Sequence, residues 1–338
     1  MRAIVLLLSA IFALGLLFSC NSKSDSENNS TVADSTASIQ ELTELIREEP
    51  RNASLYGLRS DLFIKQGNID FAIKDLEIAI GLDSLEPSYY LKLSEYYLRN
   101  QGKSLQAKET LEKCIRIFPK NVDALLGLAN IYFYVQEYTK SEEFLTKVKE
   151  IDQHNPHIYF TSGLIFLEKG DTAGAVKNFR TTLEKEPKYY KAHMELGRLF
   201  SVAKDSIALQ YFKNAIDLAP ESVEAYYHMG MYYQNMKNWN KAIDAYTNIL
   251  TKIDSTYPDA HHNIGYVYLE QKQYKQAVDE FSKAIKFDTA YIEAYLHRGV
   301  CYMNMRDKGK AKRDFDKCLL LQPNYPYAIN ALNALDKK

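Results

Sequence analysis

The sequence carries almost no net charge, because 42 lysines and arginines stand against 43 aspartates and glutamates and leave a balance of −1. Neither half of the chain is enriched in basic residues. A protein that binds nucleic acid needs a basic patch or stripe to neutralise phosphates. The charge balance therefore argues against DNA or RNA as a partner.

The sequence also lacks the short motifs that mark the common enzyme classes. It contains no glycine-rich nucleotide loop, no Gly-x-Ser-x-Gly, no His-Glu-x-x-His and no Cys-x-x-Cys. Four of its seven histidines, at positions 228, 261, 262 and 297, fall in three predicted helices. Their spacing is not that of a metal site, and packing is the simpler interpretation. We expect no catalytic residue, no metal and no cofactor.

What the sequence does contain is a repeat of about 34 residues that begins at Ala53. Each unit is marked by a small residue, with a large residue four positions before it and another three positions after it. An alanine or serine follows about twelve positions later, and a leucine or aromatic residue about sixteen positions later. The eight small residues are Ser60, Ser94, Ala129, Gly163, Gly197, Gly230, Gly265 and Gly299.

These spacings predict two helices in each unit. Steps of three, four and seven place the small residue and its two large neighbours on one stripe of a helix. The later pair forms a second stripe, and the small residues allow the two helices to approach closely. Prolines 87, 156, 258 and 326 fall at the first position of a leading helix, where a missing N–H costs nothing.

The pattern resembles the tetratricopeptide repeat over about residues 38 to 338. The resemblance implies an all-α fold: a right-handed solenoid of about eight helix-turn-helix units with half-repeat caps at both ends. The predicted units are 53–86, 87–121, 122–155, 156–189, 190–222, 223–257, 258–291 and 292–325. Residues 38–52 and 326–338 are predicted to be the capping helices.

The start of the chain predicts export and lipid attachment. A basic Met1-Arg2 precedes a nearly continuous apolar run from Ala3 to Phe18, so residues 1–19 are interpreted as a signal peptide. The run ends in Leu17-Phe18-Ser19-Cys20, which resembles the bacterial lipobox and implies that Cys20 is lipidated. Residues 20–37 are polar and are predicted to form a disordered tether. An ordinary secretory signal or an uncleaved anchor are the alternatives.

Lipidation would place the protein in the bacterial cell envelope. In lipoproteins of this type the residue after the lipidated cysteine influences sorting. Asn21 is not the aspartate associated with retention in the inner membrane. We therefore expect an outer-membrane location, on either the periplasmic or the surface face.

Three further cysteines lie within the repeats. Cys114 and Cys318 fall at a small core position, where an unpaired thiol behaves as a small apolar group. Cys301 and Cys318 are predicted on facing helices of one unit, and an oxidising compartment would permit a disulfide there. Two unpaired core thiols are the alternative, which the demanding geometry of a disulfide favours.

In arrays that resemble this one, the first helices of the units line a concave groove. Groove-facing positions lie two, three and six residues before the small residue, and one, four and five residues after it. The candidate groove residues are Asn130, Tyr134, Lys191, Met194, Arg198, Tyr227, His228, Met231, His262, Asn263, Tyr266 and His297. Tyrosine, methionine and hydrogen-bonding side chains are common on protein-binding surfaces.

These features predict a membrane-anchored scaffold or adaptor that binds a protein or peptide in its groove. A set of lysines and asparagines that would clamp a chaperone's terminal carboxylate is missing, since the first unit has Gly57 and Asp61 at the corresponding positions. An assembly factor that binds through its convex face is one alternative. A glycan- or peptidoglycan-binding module with an aromatic groove is another.

Overall fold

A computed structural model of the chain describes residues 38–100 and 102–336. The predicted signal peptide, Cys20 and the predicted tether lie outside the described residues. The described residues form eighteen α-helices and no strand. The helices are α1 (Ile39–Glu48), α2 (Ala53–Lys65), α3 (Ile69–Leu82), α4 (Pro87–Arg99), α5 (Ser104–Ile117), α6 (Val122–Tyr134), α7 (Tyr138–Ile151), α8 (Pro156–Glu168), α9 (Thr172–Lys185), α10 (Tyr190–Val202), α11 (Ile207–Leu218), α12 (Val223–Asn235), α13 (Trp239–Lys252), α14 (Pro258–Glu270), α15 (Tyr274–Phe287), α16 (Ile292–Asn304), α17 (Lys308–Leu321) and α18 (Pro326–Asp336).

The helices form two compact units, the first ending at Asn155 and the second beginning at Pro156. The first holds α1 to α7 and the second holds α8 to α18. Within each unit every helix packs against the helix before it and the helix after it in the chain. The prediction of an all-α helical-repeat solenoid is confirmed.

The two helices of each repeat touch where the small residue of the first meets a large side chain of the second. A Cβ atom placed on Gly230 would lie 2.6 Å from Cε1 of Tyr246, and one on Gly163 would lie 2.5 Å from Cε1 of Phe179. Gly197, Gly265 and Gly299 meet phenylalanine rings in the same way. These rings are fully buried. The second-helix ring therefore occupies the space that a side chain on the first helix would need.

In five repeats a polar side chain on the core side of the first helix ties that helix to the preceding turn. The residue four before the small one reaches the backbone carbonyl six residues before itself. The pairs are Tyr56 with Pro50, Tyr90 with Ser84, His193 with Pro187, His261 with Ser255, and Tyr295 with Thr289. His193 and His261 therefore act as substitutes for tyrosine, and packing is confirmed as the role of His261.

The turn inside a repeat uses a left-handed residue and a backbone hydrogen bond. In the fourth repeat Gly170 has φ 78°, and the N–H of Asp171 donates to the carbonyl of Phe166 over 2.8 Å. The same turn in the sixth repeat places Lys237 at φ 55°. Glycine adopts this conformation without steric cost, whereas lysine does not. Helix packing thus imposes the turn even where its residue is unfavourable.

An ion pair of the same geometry braces the first and the last repeat. Arg59 donates from Nε and Nη2 to both oxygens of the buried Asp75 over 2.8 Å, and its Nη1 reaches Thr43 of α1 over 3.1 Å. In the last repeat Arg298 holds Asp314 at 2.9 and 2.8 Å and reaches Ser282 of α15 over 3.0 Å. Each arginine thereby joins three helices through a bidentate pair.

The three cysteines of the repeats are buried thiols and none is in a disulfide. Burial raises the pKa of Cys114 to about 11 and that of Cys301 to about 12. Cys318 lies in the last core cluster, beside Phe315 and Ala328. The structure therefore favours unpaired core thiols over the Cys301–Cys318 bridge. Among the described residues, no helix is both long enough and apolar enough to span a bilayer.

The contact between small residue and ring predicts opposite effects for two glycine substitutions. Gly230→Ala should lower the free energy of unfolding by about 1–3 kcal/mol, because the new methyl group displaces the buried Tyr246 ring. Gly81→Ala adds a methyl group with no atom within 4 Å. It should raise stability by up to about 1 kcal/mol, since alanine favours the helix. Chemical denaturation followed by circular dichroism measures both, and equal effects would contradict the close contact.

Candidate partner-binding site

Seven of the predicted groove residues lie on three first helices of the second unit, and six of them form one group. The helices are α12, α14 and α16, and α14 contacts α16 directly. We call this set the His–Tyr cluster: Tyr227, His228, His262, Asn263, Tyr266 and His297. All six side chains are partly buried. They stand two or three positions before the small residue, or one position after it. These positions place them beside the packed core, on the side of the helix that faces away from it.

Two histidines from neighbouring repeats are hydrogen-bonded to each other at the centre of the cluster. His262 Nε2 lies 3.0 Å from His297 Nδ1. The His262 ring stacks on Tyr291 with centroids 4.9 Å apart, and the Tyr266 ring meets His297 edge-on at 5.4 Å. Phe281 of α15 lies beneath both imidazoles. The rings are thus held on several sides, which fixes their orientation.

Burial keeps these histidines neutral at physiological pH. It lowers the pKa of His262 to about 4. Burial also lowers the pKa of His297 to about 4, and the neighbouring His262 contributes in the same direction. For His228, burial and the positive charge of Arg198 lower the pKa to about 4. A neutral imidazole has one donor and one acceptor, so the cluster offers both kinds of hydrogen bond.

The second part of the cluster is formed by Tyr227 and His228 on α12. His228 stacks on Phe212 at 6.0 Å with the planes 11° apart, and Tyr227 meets His228 edge-on at 5.9 Å. Glu224, one turn earlier, lies 3.9 Å from Nε2 of His228. Burial raises the pKa of Tyr227, so its hydroxyl keeps its proton and can donate.

Asn263 carries a donor that the fold leaves unused. Its Nδ2 atom is buried and makes no hydrogen bond of good geometry within the described part of the chain, although the side chain lies beside Tyr227 and His262. An unpaired buried donor costs about 1–3 kcal/mol. Turning the amide toward an acceptor on a bound partner would recover that energy without breaking a bond inside the protein. Asn263 is therefore the side chain of this cluster best suited to gain from binding.

The sequence interpretation missed Tyr291 and Asp259, which complete the cluster. The hydroxyl of Tyr291 donates to Oδ1 of Asp259 over 2.6 Å, and its ring stacks on His262. Tyr291 is the N-cap of α16, and its side chain makes no capping bond. Tyr189 and Tyr257 occupy the same position before α10 and α14. The sequence signal for these residues was a tyrosine at an N-cap position, where serine, asparagine or aspartate is preferred.

The other predicted groove residues are placed differently. Met194 is only 3% exposed and packs in the core cluster of Ala208 and Phe212, so its prediction as a groove residue is wrong. Lys191 and Arg198 on α10 are exposed, and Arg198 pairs with Glu195 over 3.3 Å. Met231 on α12 is 36% exposed. Met194 stands three positions before the small residue of its repeat, as Tyr227 does, but its slender, flexible side chain packs into the core.

Asn130 and Tyr134 belong to the first unit, where both lie on α6 and line an apolar pocket. Tyr134 is largely exposed, at 68%. They are not part of the His–Tyr cluster. Within the two described stretches, no group of three or more histidine, cysteine, aspartate or glutamate side chains is arranged to hold a metal.

Five family models of one repeat type match the chain. The model described as TPR repeat matches residues 266–305, and four described as tetratricopeptide repeat match residues 98–159, 160–205, 224–252 and 292–325. Together they span more than half of the sequence. The chain is a tetratricopeptide-repeat protein.

Several curated proteins are similar to this chain in sequence. This tetratricopeptide-repeat protein is 27% identical to BBSome complex member BBS4 of Bos taurus over 62% of its own length and 42% of the relative's. It is 21% identical to a DnaJ homolog subfamily C member 7 homolog of Dictyostelium discoideum over 72% and 41%. The TPR repeat-containing protein YpiA of Bacillus subtilis is 22% identical over 83% and 66%. The chain spans less than half the length of the first two relatives.

Two solved structures share the fold. The C-terminal part of a TPR repeat-containing protein from Cytophaga hutchinsonii superposes with a TM-score of 0.59 at 17% identity, over 73% of this chain and 99% of that one. The Cut9–Hcn1 hetero-tetramer of APC/C gives a TM-score of 0.51 at 15% identity, over 88% of this chain and 58% of that one. At these identities the likeness concerns the fold alone.

The neutral histidines of the tetratricopeptide-repeat protein predict a loss of stability in acid. Histidine in an unfolded chain has a pKa of about 6.5, whereas His228, His262 and His297 have a pKa of about 4 when folded. Between these values the unfolded chain binds more protons, so stability should fall as the pH drops from about 6.5 to 4. The double variant His262→Gln, His297→Gln should make the fall shallower.

Thermal melting across this pH range measures the effect. His154→Gln, in an exposed turn of the first unit, is the control for loss of a histidine outside the cluster. If the double variant and the wild type lose stability equally between pH 6.5 and 4, the two histidines are not held neutral by burial.

Proposed function

We propose that the protein is a non-catalytic adaptor that binds a segment of a partner protein on the His–Tyr cluster. The observation that supports this most directly is the unused donor of Asn263 among neutral hydrogen-bonding rings. A polypeptide backbone offers carbonyl acceptors and N–H donors without net charge. The neutral imidazoles, the amide and the tyrosine hydroxyls match those groups in kind.

The aromatic surface adds an apolar contribution to the same site. Tyr227 and Tyr266 present rigid rings with a polar end, which lose little conformational entropy on binding. They lie on α12 and α14, on either side of Asn263. A bound segment would thus meet two aromatic anchors and a hydrogen-bonding centre. Such buried anchors commonly supply most of the affinity of an interface.

The nature of the relatives supports a partner that is a protein. The bovine relative is a member of the BBSome complex, and one structural relative is part of a hetero-tetramer. Tetratricopeptide-repeat proteins of these kinds mediate protein–protein interactions. We propose that this chain also mediates a protein–protein interaction and that the His–Tyr cluster is the surface involved.

The proposal includes a lipid anchor at Cys20 and a place in the assembly or regulation of a bacterial cell-envelope complex. The support is the sequence alone: an apolar run that ends in a lipobox-like motif and is followed by a polar stretch. A tether of about 17 residues extends roughly 20–25 Å as a random coil. Such a length would hold the repeats close to a membrane surface, where an adaptor could meet a membrane-bound partner.

Affinity capture from native membranes tests the binding surface. The Tyr227→Ala, Tyr266→Ala variant should lose a specific protein that the wild type retains, because both aromatic anchors are removed. Its unfolding midpoint should stay close to that of the wild type, since neither side chain is fully buried. Tyr327→Ala removes a tyrosine on α18 that is 65% exposed, and it is the matched control.

The outcomes separate the competing interpretations. Capture of the same proteins by wild type and variant would place binding on another face and contradict the proposal. Capture of no protein, together with binding to a glycan array, would favour the glycan-binding alternative.

The lipid anchor has a separate test. In cells fed an alkyne-tagged fatty acid, the wild-type protein should become labelled and should fractionate with membranes. Cys20→Ser should abolish the label and release the protein, because the sulfur that carries the lipid is gone. Cys114→Ala removes a buried thiol instead and should change neither result. Labelling that persists in Cys20→Ser would refute lipidation at this residue.

A further inference from the structure

The first unit contains a pocket beside one position of the repeat pattern. Two residues before the small residue, most repeats carry a side chain of substantial size. These residues are Leu58, Lys92, Thr161, Glu195, His228, Asn263 and His297. In the third repeat the position is Gly127, on α6. Gly127 lies against Leu111 of α5, and beside it a pocket opens that is lined by residues of α4, α5 and α6.

The pocket has an apolar floor. Its volume is about 210 Å³, and its walls and floor include Leu91, Leu98, Leu111 and Ile131. Leu111 and Ile131 are buried. Small-molecule sites usually enclose roughly 300–1,000 Å³. The pocket is therefore below that range and of a size for one large apolar side chain.

The rim of the pocket combines exposed apolar surface with negative charge. Tyr134 and Val135 are 68% and 54% exposed at its edge. Glu95 and Asp123 supply two carboxylates, and the lining contains no lysine or arginine. Glu95 is partly neutralised by Arg99, which donates to it over 2.5 Å. Asp123, in the first turn of α6, has no cationic partner among the described residues.

We propose that this pocket binds a leucine- or phenylalanine-sized side chain of a protein segment that carries lysine or arginine beside it. The apolar floor selects the inserted side chain by burial. The carboxylates of Glu95 and Asp123 select the flanking charge and speed association. This inference rests on the proposed function, because it assumes a protein partner. It adds a second subsite with a different chemistry, since the histidines of the His–Tyr cluster are uncharged.

Two kinds of variant separate shape from charge. Gly127→Leu places a large side chain at the pocket, and its Cβ would lie 2.7 Å from Cδ1 of the buried Leu111, which must shift to admit it. Glu95→Gln with Asp123→Asn keeps the shape and removes the charge. Glu109→Gln with Glu150→Gln changes two exposed carboxylates outside the pocket and is the matched control. The charge variant keeps side chains of nearly the same size and leaves Gly127 and Leu111 unchanged, so it remains informative if Gly127→Leu disturbs the fold.

The test is selection of random twelve-residue peptides displayed on phage against the full chain. We expect enriched peptides with one large apolar residue flanked by lysine or arginine. The affinity of the enriched peptide, measured by fluorescence anisotropy, should fall about tenfold or more with Gly127→Leu, as loss of a buried side chain implies. The charge variant should lower it several-fold, and most at low salt, because exposed charges are screened.

The same selection distinguishes this inference from the proposed function. Peptides that depend on Tyr227 and Tyr266 but bind Gly127→Leu and the charge variant normally would support the proposed function and overturn the pocket. Peptides that depend on Gly127 and carry acidic flanks would overturn the proposed charge preference. Enrichment that is unaffected by Gly127→Leu and by the charge variant would refute the pocket as a binding site.

Discussion

The structure depends on the contact between a small residue of each first helix and a large side chain of the second. At Gly230 the ring of Tyr246 occupies the space of the missing side chain. The contact sets how closely the two helices approach, and therefore which residues can be core. The residues four before and three after the small one then turn inward. Two residues before it, side chains such as His228, Asn263 and His297 are left at the edge of the core, where they are partly buried.

The residue two positions before the small one determines the chemistry of the surface at that edge. Two residues before the small one, His228 lies on Phe212 and His297 lies on Phe281, in each case a ring of the preceding repeat. Gly127 stands at the same position and lies against Leu111 of the preceding repeat. A polar ring at this position yields a hydrogen-bonding cluster, whereas glycine yields an apolar pocket. One repeat geometry thus supports two kinds of surface through a single residue choice.

The two surfaces also differ in charge. In the His–Tyr cluster, burial against aromatic rings lowers the pKa of the histidines and leaves the surface neutral. At the pocket of the first unit, Glu95 and Asp123 are partly buried carboxylates beside an apolar floor. The near-zero net charge of the chain does not reveal this difference, because it sums charges from surfaces that a partner would contact separately.

The sequence by itself determined the helices, the repeat length and the family. Period and helical spacing are local properties, so the small residues and their large neighbours could be assigned from Ser60 to Gly299. The same spacing placed Tyr227, His262 and His297 on the open edge of their helices. Only the tertiary structure decided how the edge residues meet. The hydrogen bond between His262 and His297 joins residues 35 apart in the sequence. The flexible Met194 packs into the core, and the ring of the N-cap residue Tyr291 stacks on His262. These outcomes depend on side-chain rotamers and on contacts between repeats, which a local pattern does not specify.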